Sequence, residues 1–248
     1  MWCRKGAGNR NYRNWEKTLN LSNDPNIENI EHIAQALGEL RNRVVLVGGA
    51  VVGILINDTN RPAARPTIDV DLLADVTNRS EYYKICDALR IAGFKEEGGE
   101  VICRWIKGGR LLDLMPVDPT ILGFTNRWYQ LAIKTSVPIT LPSGLILRHV
   151  SAPLFIASKL ESFKDRGNGD YAHHDIEDII NLIDGKSDLL QEFSLTEKEV
   201  QRYISQEFKS LLSNPNFISQ LSWHLNPAGS EQDRTSIIIE RIKRLVEI

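Results

Sequence analysis

The residues best placed to do chemistry are acids in apolar surroundings. In Thr67-Ile68-Asp69-Val70-Asp71-Leu72-Leu73 two carboxylates stand two positions apart in a run that reads as a β-strand. Side chains at i and i+2 share one face of a strand, so Asp69 and Asp71 stand side by side, with Ile68, Val70 and Leu72 expected to face a core. Adjacent carboxylates repel and raise each other's pKa unless a cation lies between them. Hard divalent ions such as Mg²⁺ accept such oxygen ligands and share the rest of their shell with water or phosphate. Arg110-Leu111-Leu112-Asp113-Leu114-Met115 adds a lone acid in a second apolar strand, Leu112 and Leu114 on one face and Asp113 on the other. If the two strands are neighbours, three carboxylates form a metal-binding cup. The bland alternatives are a solvated strand face for the pair and an exposed edge for Asp113.

Gly48-Gly49 follows the apolar, β-branched run Val44–Val47 and precedes an apolar helix over about 50–56. Glycines there let a phosphate approach the backbone at a helix start, or simply make a tight turn. No Gly-Lys-Ser/Thr follows, so this is not a Walker A loop, and G-x-G-x-x-G is absent. Lys159 lies beside the apolar stripe of a helix over 152–166, near Ile156 and Phe163, so its stem can pack while its ammonium reaches a cleft. A point charge there suits a γ-phosphate, and a snorkelling surface lysine is the alternative. Asp175 and Asp178, one turn apart beside Ile176, Ile179, Ile180 and Ile183, either orient Lys159, bind an acceptor or form a polar face. His173-His174-Asp175 contains the His-Asp doublet of HD-type metal phosphohydrolases. Those need further ligands, for which His149, in a strand-like run, or Asp184 would have to serve.

Elements must position these groups. The spacing predicts a helix over 27–40 with Asn26 as cap, strands at 44–47 and 67–74, a loop over 57–66 carrying Arg61 and Arg65, and a helix over 80–92. Lys107-Gly108-Gly109 joins strands 101–106 and 110–115 in a hairpin. From Ala152 the pattern is helical, with helices at 152–166, 172–184, 196–212, 215–224 and 231–246. An arm over 1–25, an α/β domain over 26–150 and a helical domain over 151–248 are therefore expected. The arm carries Arg4, Lys5, Arg10, Arg13 and Lys17 with Trp2, Tyr12 and Trp15 interleaved, which suits contact with RNA as well as it suits a solvated terminus.

The 248 residues, 42% hydrophobic and 25% charged, are an ordinary globular composition that needs no disulfide to hold a core. A net charge of −2 excludes a wholly basic nucleic-acid coat. Three scattered cysteines with no C-x-x-C indicate neither a disulfide framework nor a thiolate zinc site. The polar N-terminus lacks a signal-peptide core, and the longest apolar run, 44–56, is too short to span a membrane. A soluble cytoplasmic protein is expected, with no membrane partner.

Strand, Gly-Gly, helix, D-x-D strand and a third Asp on a later strand together resemble the polymerase-beta-type nucleotidyltransferases over Val45–Met115. The resemblance implies an α/β (α+β) nucleotidyltransferase fold with a mixed sheet, followed by an all-helical C-terminal half. It also implies Mg²⁺, or Mn²⁺, on Asp69, Asp71 and Asp113, and an NTP triphosphate on Gly48 and Gly49. Ser158-Lys159-Leu160-Glu161, Asp165-Arg166-Gly167 and His174-Asp175-Ile176-Glu177-Asp178 resemble the third and fourth motifs of the AbiEii-like nucleotidyltransferases of abortive-infection and toxin–antitoxin systems. Lys159 and Arg166 match the third motif and would hold nucleotide; Asp175, with Lys159, joins the catalytic set. Two departures stand out: Gly49 and Asp69 lie further apart than the pattern expects, and His174 stands where an Arg is usual. The implied activity is transfer of an NMP to a hydroxyl of a tRNA 3′ end or a protein, by a toxin with an antitoxin partner. A small-molecule, antibiotic-type transferase and a non-catalytic NTP-binding regulator are the alternatives, with an HD-type hydrolase a remote third.

Overall fold

A computed structural model describes residues 21, 24–58, 61, 63–76, 78–99, 101–225 and 231–248. The basic residues and aromatics of the arm expected over 1–25, all at or before position 17, lie outside these residues. Seven strands, β1 (Val44–Val47), β2 (Asp69–Ala74), β3 (Lys95–Glu96), β4 (Arg104–Lys107), β5 (Arg110–Pro116), β6 (Val137–Thr140) and β7 (Ile146–His149), form one mixed sheet in the order β3-β4-β5-β2-β1-β7-β6. β2 runs parallel to β5 and antiparallel to β1, and β1 runs parallel to β7. Helices α1 (Ile27–Leu37), α2 (Val52–Leu55), α3 (Arg79–Ile91), α4 (Pro119–Leu122) and α5 (Tyr129–Lys134) interleave with the strands. After His149 the described chain has helices only: α6 (Ala152–Arg166), α7 (His174–Gly185), α8 (Leu189–Leu195), α9 (Lys198–Leu212), α10 (Pro215–Gln220) and α11 (Glu231–Val246). The mixed sheet followed by a helical half is the α/β architecture the alternating and then helical patterns called for. Among the described residues no helix is long and apolar enough to cross a membrane.

β1 is apolar at all four positions and buried at all four, as a strand covered on both faces must be. β2 alternates, with Val70 and Leu72 buried and Asp69 and Asp71 partly open. Ile68, expected in the core, is 81% exposed. It precedes the first ladder pair, Asp69 with Leu111, so no pairing holds it to the inner face. Between β4 and β5 a two-residue turn needs positive φ at both central positions, and Gly108 and Gly109 adopt 57° and 78°. That turn sets Lys107 opposite Arg110, and hence Arg104 opposite Asp113.

Asn26 does not cap α1 with its side chain. Its amide donates to the Arg65 carbonyl at 3.0 Å and its carbonyl oxygen accepts from the Thr67 backbone at 2.7 Å. It thereby fastens the end of the long loop just ahead of Asp69. At the other end of that loop, the backbone N–H groups of Asn57 and Asp58 donate to the Gly185 carbonyl at the end of α7. α6 is central and buries residues on every side, Lys159 among them. α7 presents Ile176, Ile179, Ile180 and Ile183 to the core at helical spacing. The seven-residue α8 escaped the periodicity reading because two turns give too few repeats, and the helix expected over 215–224 ends in a 3₁₀ turn at Leu221–His224.

Candidate active site

Sheet register brings the three strand carboxylates together. Val47 pairs with Asp71, Asp71 with Asp113, and Asp113 with Arg104, so these four side chains form one row across β1, β2, β5 and β4. Asp69 stands on the same face two residues before Asp71. β5 is interior to the sheet, so Asp113 is no edge acid; it is 7% exposed. Arg104 grips Asp113 with both arms of its guanidinium, Nε to Oδ1 at 2.7 Å and Nη2 to Oδ2 at 2.8 Å. The same Nη2 reaches Asp69 Oδ2 at 2.5 Å. Asp71 is different: among the described residues none donates a hydrogen bond to its carboxylate. Burial, then the neighbouring charges of Asp69 and Asp113, push its pKa up to about 7, against the pull of Lys159 and Arg166.

Gly48 has no room for a side chain. Its φ is +68°, and a Cβ there would lie 1.8 Å from Asp71 Oδ2. Glycine at this position lets the Asp71 carboxylate lie against the backbone. A Cβ on Gly49 would meet Thr67 Cγ2 at 2.8 Å, Arg65 Nη2 at 3.1 Å and Asp178 Oδ2 at 3.3 Å. The glycine pair therefore adjoins the carboxylate row on one side and an ion cluster on the other. The helix expected after it is short, a 3₁₀ turn at Gly49–Val51 leading into α2.

That cluster joins α6, α7 and the long loop. Lys159, 7% exposed, places Nζ 2.9 Å from Asp175 Oδ1 and 2.7 Å from Asp178 Oδ2. Burial alone would depress the Lys159 pKa; Asp178 and Asp175 outweigh it and raise it. Arg166 holds Asp175 through Nε and Nη2 at 2.9 and 2.8 Å, and Arg65 holds Asp178 through Nε and Nη2 at 2.9 and 3.2 Å. Burial pushes the Asp175 carboxyl up, but the Arg166 hydrogen bonds and the Lys159 charge win and hold it well below the ordinary carboxylate range. Of the cations expected to meet phosphate, Lys159 has its ammonium between two acids, whereas the Arg166 side chain is 54% exposed.

His173, His174 and Asp175 hold ligand atoms within 4.8 Å of one another. The Asp175 oxygens already accept from Lys159 and Arg166, and the His173 Nδ1 accepts from the Asp175 backbone N–H as the α7 cap. Burial lowers the His174 pKa to about 4. Neither helper expected for an HD-type centre is free: His149 bonds the Val150 carbonyl from β7, and Asp184 pairs with Arg61 and Arg234. Arg61 thus turns to Asp58 and Asp184, and Arg65 to Asp178 and Glu177, leaving neither loop arginine as a bare basic site.

Two participants were not read from the sequence. Arg104 could have been found, since the Gly108-Gly109 turn fixes which residue faces Asp113. Tyr129, whose pKa burial raises with the Asp71 charge adding to it, sits beside the site through tertiary packing alone, and no local signal marks it.

No protein-family model matches the chain, and comparison with curated proteins finds no relative. Among solved structures, the chain is similar to an antigenic nucleotidyltransferase-like protein from Paracoccidioides brasiliensis, at 21% identity and a TM-score of 0.49 over 80% of this chain and 93% of that one. It is also similar to the antibiotic-resistance factor ANT(2'')-Ia, at 18% identity and a TM-score of 0.42 over 75% of this chain and 92% of that one.

Proposed function

We propose that the chain is a divalent-metal-dependent nucleotidyltransferase of the polymerase-beta type, which moves an NMP from an NTP to an acceptor hydroxyl and releases pyrophosphate. The observation that carries this reading is the row of carboxylates from Asp71 to Asp113, with Asp69 beside it and the bare Gly48 backbone against Asp71. Three acids against one contacting guanidinium leave excess negative charge, and Asp71 without a donor is the most exposed to that imbalance. The donor set fits Mg²⁺ or Mn²⁺, which Asp69, Asp71 and Asp113 would hold. When bound, such an ion offsets the charge of the triphosphate and of the departing pyrophosphate.

The chain's own groups would do the rest. Gly48 and Gly49 leave backbone open to the triphosphate, and Arg166, charged and anchored by Asp175, would meet its outer phosphates. Lys159 would stiffen that anchor from behind, joining Asp175 to Asp178. Asp113 would take the acceptor's proton once Arg104 no longer occupies its two oxygens. The AbiEii-like motifs of residues 158–178 extend the proposal to a growth-inhibiting toxin with a tRNA or protein acceptor and an antitoxin partner.

Incubation with each α-³²P-labelled NTP and Mg²⁺, offered total tRNA, protein or aminoglycoside, tests the reading. Label transferred by wild type and not by Asp71→Ala is the expected result, and the labelled acceptor separates the toxin from the antibiotic-type alternative. His174→Ala is expected to leave transfer within about twofold. The HD-type reading, which the His173-His174-Asp175 group favours, requires instead hydrolysis to free labelled product with no acceptor labelled, lost on His174→Ala and kept by Asp71→Ala. Transfer that survives Asp71→Ala refutes the carboxylate assignment.

A further inference from the structure

The acidic row ends in a cation that belongs to the chain itself. Arg104 comes from β4, directly across the ladder from Asp113, and its guanidinium makes three contacts of 2.5–2.8 Å with Asp113 and Asp69. Its side chain is only 19% exposed, so the fork is embedded in the site and not lying over it. A bidentate arginine–carboxylate pair uses the same oxygen lone pairs that a divalent ion would use. Two of the three carboxylates are thereby claimed, and Asp71 alone is left open.

We infer that Arg104 is a tethered counter-cation that competes with divalent metal for Asp69 and Asp113, so that the resting protein takes a single ion, through Asp71, and admits a second only when the guanidinium swings away. This rests on the nucleotidyltransferase reading of the same carboxylates. A destination exists: Glu97, at the rim with 42% of its side chain exposed, already has Oε2 3.8 Å from Arg104 Nε. A guanidinium moved there keeps a carboxylate partner, but leaving Asp113 and Asp69 without a cation is costly, so the movement is favoured only when an incoming divalent ion takes its place on them. It uncovers both oxygens of Asp113, the group assigned to take the acceptor's proton. Arg104 thus makes completion of the metal site conditional on a side-chain movement, which the incoming ion drives.

Mn²⁺ titration without nucleotide tests this, followed by the loss of the free-ion resonance signal and by the Mn²⁺-induced rise in Tm. Wild type, Arg104→Gln, Arg104→Lys and Asp71→Asn are compared. Wild type is expected to bind one Mn²⁺ per chain. Arg104→Gln is expected to bind two, with the stronger site at least tenfold tighter than in wild type. Arg104→Lys, keeping one charge but not the planar fork, should fall between them, and it carries the test alone if Arg104→Gln does not fold. Unchanged Mn²⁺ stoichiometry and affinity in both Arg104 variants, with binding still weakened by Asp71→Asn, overturns the role of Arg104 and leaves the metal site standing. Mn²⁺ binding absent in every variant, or unaffected by Asp71→Asn, overturns the carboxylate site and this inference with it.

Discussion

Replacing Asp71 by Asn should make the metal-free protein more stable while removing its activity. The carboxylate is held without a hydrogen-bond donor beside Asp69 and Asp113, and its pKa rises from 3.8 to about 7. At about 1.4 kcal/mol per pH unit, ionised Asp71 costs the fold roughly 4 kcal/mol above pH 7. An Asn amide in its place carries no charge but finds incomplete partners, a loss of about 1–3 kcal/mol. The net gain is about 1–3 kcal/mol, or about 3–8 °C in Tm for a chain of this size. The sign follows from linkage: a carboxyl whose folded pKa is raised contributes most below its unfolded value, and that contribution falls as pH climbs towards the folded value. Asp71→Asn should therefore be less stable than wild type near pH 4, by up to about 1–3 kcal/mol, overtake it between pH 4 and 7, and hold a constant lead above. Thermal and urea melts in EDTA at pH 4, 6 and 8 measure it. A variant less stable than wild type at pH 8, or a difference that does not change with pH, refutes the argument.

Two further outcomes follow from the same geometry. Gly48→Ala should cost about 2–3 kcal/mol from its left-handed φ and the collision with Asp71, and should reduce nucleotide transfer at least tenfold, read by urea melts and by label transfer. Asp175→Asn strands Lys159 and Arg166 and should cost about 3–5 kcal/mol at pH 7. Because the Asp175 pKa is depressed, its contribution is present above pH 4 and lost as pH falls, so urea melts of wild type and variant should converge below pH 4.

Much of this site was legible in local pattern. Alternation marked the β2 face that holds Asp69 and Asp71, because the two-residue period of a strand is a property of the chain itself. The apolar flanks of Asp113 marked it as an acid needing a partner, and the Gly-Gly turn carried enough information to set Arg104 opposite it. Sequence alone could say that Lys159, Asp175 and Asp178 lay on helices beside apolar stripes. It could not say that α6 and α7 pack so that one ammonium satisfies both acids, since that depends on where two helix faces meet. Nor could it show that β2 and β5 are parallel neighbours in a register that matches Asp71 with Asp113, because strand order depends on the whole fold. Asn26 shows the same limit: its position before α1 suits a cap, yet burial beside Arg65 and Thr67 offered its amide better partners, and tertiary contact overruled local propensity. Local chemistry decided which residues were able to act, and the packing of distant segments decided which of them meet.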